Sequence, residues 1–160
     1  MTALPPQADD SESPTARINR NVGELLQELR VAQAGVQILF AFLLGMAFTP
    51  VFMAQPRFIR WLHLAAVLFA AAAAGFLIAP ASWHRVLFRQ RKREAILRHG
   101  SQFAKFGIAS LAVSMALTVG VIGYVTLGPA VALVSGIGAA AAFFGLWFVY
   151  PTQLSHDETS

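Results

Sequence analysis

Four apolar stretches without an Asp, Glu, Lys or Arg constrain this chain more than anything else in it. They run Val31–Thr49, Trp61–Ala79, Phe106–Leu127 and Pro129–Tyr150. The last two belong to one uncharged run, Phe106 to His156. As a single helix that run would extend about 75 Å at 1.5 Å per residue. A bilayer core is only about 30 Å thick, so the run must cross twice. Gly128-Pro129 is the obvious break. The chain is 56% hydrophobic and 12% charged, against about 25% charged in soluble domains. With 160 residues it has room for one domain. The fold class these features predict is all-α: a polytopic membrane protein built as a four-helix transmembrane bundle.

Between the second and third stretches lies a basic hinge, His84–Lys105, with seven of the twelve Lys and Arg residues. In a soluble protein the net charge of +4 would suggest nucleic acid. Here the basic residues flank apolar spans, so anionic lipid head groups are the expected partner instead. Arg17, Arg20, Arg30 and the hinge put ten basic residues on one side of the bilayer, and only Arg57 and Arg60 fall on the other. Short cytoplasmic loops carry the excess of Lys and Arg. Both termini are therefore expected in the cytoplasm, in a multi-pass protein of the inner (plasma) membrane. Met1–Ala16 has no apolar core of a secretory signal. The first span is expected to serve as its own insertion signal.

Residues 1–16 are polar and expected to form a disordered cytoplasmic tail, and 152–160 a short polar cytoplasmic tail. The membrane domain is expected over 17–151. Asn21 and Glu24 resemble a helix N-cap pair opening an amphipathic segment at 21–30. Small residues recur at four-residue spacing: Ala41/Gly45, Ala71/Gly75/Ala79, Ser110/Ser114/Thr118 and Gly138/Ala142. Such stripes let helices approach closely in lipid. They are expected to close the bundle, or to dock a second copy or a larger membrane partner.

Little in the chain carries chemistry. Ionisable groups inside a membrane are the usual functional candidates, but no Asp, Glu, Lys or Arg lies in any span, and His63 sits near the outer end of the second, where interfacial hydrogen bonding is expected of it. His63 and His84 are about 31 Å apart along one helix, so they cannot share a metal or a haem. With no cysteine there is no disulfide or thiolate site. Phosphate-cradling loops, hydrolase triads and zinc motifs are absent. No cofactor and no metal is expected. The only polar constellation lies at the cytoplasmic interface: Glu24, Glu28, Arg30, Gln33 and Gln37 from the first helix, with His84, Arg85 and Arg89 from the hinge. It is expected to be structural or to touch lipid. Pairing of Glu24 or Glu28 with Arg85 or Arg89 would tie the first helix to the hinge.

Two blocks carry a family resemblance. ELLQELRVAQAGVQILFAFLLGMAFTPVF spans Glu24–Phe52, and LIAPASWHRVLFR spans Leu77–Arg89. Together they resemble a family of small, uncharacterised actinobacterial membrane proteins. The matching positions are Glu28, Leu29, Arg30, Val31, Gln33, Gly35, Val36 and Gln37, then Ala79, Pro80, His84, Arg85, Phe88 and Arg89. The resemblance covers about residues 17–127 and implies a topology but no activity. The expected function is a non-enzymatic accessory or scaffold subunit. The alternative is a small transporter or a lipid- or quinone-binding protein that uses the cytoplasmic polar cluster. A cavity reaching Gln33 and Gln37 would favour that alternative.

Overall fold

The computed structural model describes residues 14–87, 93–150 and 152–153. Within them the chain is helical, in the order α1 (Pro14–Ala47), α2 (Pro50–Met53), α3 (Arg57–Leu87), α4 (Arg93–Leu127) and α5 (Pro129–Phe144). A π-helical turn, Gly145–Val149, continues α5. Backbone polar groups in hydrocarbon must be satisfied within the segment, which is why helices result. Four of these helices are long and apolar enough to cross a membrane, over Leu26–Ala47, Arg57–Pro80, Gly100–Leu127 and Pro129–Val149. The all-α, four-span architecture read from the sequence is the one observed.

The helices outrun their apolar stretches. α1 begins at Pro14 rather than Asn21, so Pro14–Ala16 are helical and not disordered. Asn21 lies inside the helix, and Glu24 pairs with Arg20 one turn back, at 3.7 Å. Residues 1–13 and 154–160 lie outside the described residues. The basic hinge is made largely of the ends of α3 and α4, which project past the apolar core. Pro80 does not end α3 as its position suggests; it sits fully buried inside the helix.

Two short connections mark the end of the molecule away from the hinge. After α1, Thr49 caps α2 by accepting from the Phe52 amide, with Pro50 in the first helical position. Between α4 and α5 there is a single residue, Gly128, at φ 93. Only glycine takes that conformation without strain, so the reversal needs no further loop.

The core lies among α1, α3 and α4. On α3 the buried positions are Ile59, His63, Ala66, Ala70, Ala73, Leu77 and Pro80. On α4 they are Gly100, Ala104, Gly107, Ser114, Thr118, Val121 and Gly123. The α3 set alternates steps of three and four, and the α4 set keeps the same 3.5-residue period apart from Gly123, which is buried against α5; this is the period of helices packed at a shallow left-handed angle. α1 adds Leu29, Val36 and Leu43, one every seven residues. Edge-to-face pairs close the α3–α4 seam near each end, Phe58 on Tyr124 at 5.3 Å and Phe76 on Phe103 at 5.6 Å.

α5 stands apart from this core. It packs extensively on α4 and buries no residue fully. The contact is backbone on backbone: a Cβ at Gly123 would lie 3.2 Å from Ala132 Cα, and one at Gly136 would lie 3.4 Å from Gly120 Cα. Three of the four predicted small-residue stripes are not seams within the molecule. Ala41, Gly45, Ala71, Gly75, Gly138 and Ala142 are all exposed, and a Cβ on any of these three glycines would meet nothing within 4 Å. Only Ser114 and Thr118 of the remaining stripe are buried.

One substitution, made twice, checks this arrangement. Gly123→Ala should destabilise the fold by about 1–3 kcal/mol through overpacking against Ala132. Gly138→Ala should be neutral, or stabilising by up to about 1 kcal/mol through helix propensity. Unfolding measured in the same detergent micelle compares the two.

Candidate functional site

Three side chains inside the spans donate hydrogen bonds across helices, each to a backbone carbonyl. Gln33 Nε2 on α1 donates to Leu77 O on α3 at 2.8 Å. His63 Nε2 on α3 meets Leu43 O on α1 at 3.0 Å. Ser114 Oγ on α4 donates to Ala66 O on α3 at 2.8 Å. α1 and α3 run antiparallel, so the first two bonds tie them together at two levels, each helix giving and receiving one.

The Gln33 bond lies beside a helix-interior proline. Pro80 supplies no N–H to its i−4 carbonyl, and a proline within a helix opens the turn before it. In membrane helices a neighbouring helix commonly supplies the missing donor. Here Gln33 bonds the adjacent carbonyl, Leu77.

His63 is 3% exposed, with its ring centroid 4.5 Å from that of Phe52. A carbonyl only accepts, so Nε2 carries the proton. Nδ1 is then a buried lone pair with no partner. The sequence placed His63 near an interface; the structure puts it inside the helix packing, under Phe52 of α2. The signal for this was its step of three or four from Ile59 and Ala66, which the four-residue reading of the stripes obscured.

The predicted polar cluster does not assemble into a pocket among the described residues. Gln33 is spent on Leu77. Glu24, Glu28, Arg30 and Gln37 are exposed, and Glu24 faces Arg20 on its own helix. His84 and Arg85 belong to the last turns of α3, but their side chains, like all of Arg89, lie outside the described residues. The pairing expected between Glu24 or Glu28 and Arg85 or Arg89 therefore also falls outside them. No group of three His, Cys, Asp or Glu among the described residues could hold a metal ion.

Two apolar grooves open on the sides of the molecule. One, of about 570 Å³, runs between α3, α4 and α5 past Leu62, Tyr124 and Leu133. The other, of about 610 Å³, lies beside α1 and α4, with Trp147 of the π-helical turn in its wall. Neither is lined by a carboxylate, His, Lys or Arg, and neither reaches Gln33 or Gln37.

These features define a polytopic helical membrane protein whose internal polar groups serve helix packing. A family model described as a family of unknown function (DUF6328) matches residues 11–151, and the chain belongs to that family. The match agrees with the uncharacterised family expected from the two sequence blocks. No curated protein and no solved structure matches the chain.

The two glutamines of α1 separate structural from idle polarity. Gln33→Ala should lower stability by about 1 kcal/mol, the scale of an interhelical hydrogen bond in lipid. Gln37→Ala, one turn on and exposed, should change it by no more than a few tenths. Steric trapping or denaturant unfolding in bicelles reads both.

Proposed function

We propose that the chain is a non-enzymatic accessory or scaffold subunit of a plasma-membrane assembly, with both termini in the cytoplasm. The observation that carries this reading is the set of open small-residue seams. α5 uses Ala132 and Gly136 against α4, and on its far side presents Gly138 and Ala142 to the bilayer. α1 likewise presents Ala41 and Gly45. Small residues at four-residue spacing bring backbones together in lipid, and nothing among the described residues occupies them. The partner is a second copy or a larger membrane protein. The ten-to-two division of Lys and Arg supports the orientation, and the basic hinge then lies against anionic head groups. The alternative, a small transporter or a lipid- or quinone-binding protein using the cytoplasmic polar cluster, would be favoured by a cavity at Gln33 and Gln37; the two apolar grooves among the described residues do not reach them.

The chain has no cysteine, so single cysteines report cleanly. Gly138→Cys in native membranes should cross-link to a second copy or to another membrane protein, while Ser135→Cys, which borders α4, should not. A Gly138→Cys chain that stays at monomer mass while a lipid-soluble maleimide alkylates it would overturn the proposal. Orientation has its own check. In intact cells an impermeant maleimide should label Gln55→Cys but leave Gln153→Cys unmodified until the cells are opened. The opposite pattern would reverse the topology.

A further inference from the structure

We propose that Arg57, Arg60 and Trp61 form a binding site for the phosphate of an anionic phospholipid, with an acyl chain of that lipid lying along Leu64 and Leu68. The four residues Arg57, Arg60, Trp61 and Leu64 line a single depression of about 270 Å³ on α3. They stand at steps of three and four, so they share one helix face. Leu68 continues it. The face points away from the core: Trp61 is 59% exposed, Leu64 42% and Leu68 61%.

Among the described residues neither guanidinium group makes an ion pair. No Asp or Glu occurs between Glu28 and Glu94, nor between Glu94 and Asp157. Glu28 lies just inside the start of the first apolar span and Glu94 at the start of α4, both at the opposite end of the spans from Arg57. About 30 Å of bilayer lies between, so neither carboxylate reaches a guanidinium for direct pairing. Two cations one helical turn apart repel each other unless an anion from outside the chain lies between them.

The order of chemistry along the helix identifies that anion. The apolar span of α3 starts at Arg57, so both guanidinium groups stand at head-group depth. Trp61 follows about 6 Å further in, at the level where interfacial tryptophans sit. Leu64 and Leu68 then descend into hydrocarbon. Guanidinium binds phosphate oxygens in a fork of two parallel hydrogen bonds. A soluble anion would satisfy the arginines but leave the aromatic and aliphatic parts of the face unused. A phospholipid satisfies all three in sequence. The site lies in the leaflet opposite the basic hinge, so the hinge cannot share its lipid.

Trp61 is itself the reporter. With Trp83→Phe and Trp147→Phe it becomes the sole tryptophan, and chains with brominated tails quench it on contact. In vesicles mixing phosphatidylglycerol with phosphatidylcholine, brominated phosphatidylglycerol should quench Trp61 as though enriched about fivefold over its bulk share, falling as salt rises. Arg57→Gln/Arg60→Gln should return the quenching to the bulk ratio. Quenching that follows bulk composition in the parent, or enrichment that survives the double substitution, would sink the proposal. Native mass spectrometry of the chain with all its tryptophans gives an independent reading. From mixed micelles the double variant should retain one phosphatidylglycerol fewer than the parent, and equal retention would also overturn the site.

Discussion

Lipid tails are as apolar as leucine, so burying leucine between two membrane helices gains little. Close approach has to be rewarded by dispersion contacts and by hydrogen bonds, and both require small side chains at the seam. In this protein that requirement is met where α3 meets α4. Ala66, Ala70 and Ala73 face Gly107, Ser114 and Thr118 on a 3.5-residue period. The short reach of Ser114 to Ala66 O is available only because the backbones are near. α1 then lies on this pair through Leu29, Val36 and Leu43, clasped by Gln33 and His63. If the α3–α4 seam opened, Ala66 O would move out of range of Ser114, and α1 would lose the paired surface it lies on.

The number, order and position of the spans were legible in the sequence because bilayer thickness converts directly into a count of apolar residues. The faces were not. A membrane helix is apolar all round, so the polar–apolar alternation that marks the inner face of a soluble helix is missing. Ala71, Gly75, Ala70 and Ala73 are chemically alike in the sequence, yet the first two face out and the last two face in. A strict four-residue spacing selected the wrong pair; alternating steps of three and four select the right one. The start of α1 was misplaced because Asn21 is a good cap; the earlier signal, a Ser13-Pro14 pair with proline in the first helical position, sits in a polar stretch without apolar periodicity.

The polar cluster was legible in part. Gln33 stood out as an amide entering hydrocarbon, and the structure gives it a role. Its partner could not be read, because it depends on how Pro80 sits across the interface from α1. His63 was visible but read as interfacial, since its burial comes from α2 folding Phe52 over it. Exposed Glu28, Arg30 and Gln37 look no different in sequence from the engaged Gln33.

The single-residue reversal at Gly128 bears on how the protein is made. With no loop between them and no charged side chain from Phe106 to Val149, α4 and α5 form one hairpin with nothing hydrophilic at its tip. Such a hairpin can enter the bilayer as a unit after the ribosome has released both arms. In the proposed orientation the α1–α3 pair does not travel so easily, because its connection leads into Arg57 and Arg60, which then cross the hydrocarbon during insertion. Biogenesis is thus uneven along the chain. The first hairpin carries the electrostatic barrier, and the second meets none.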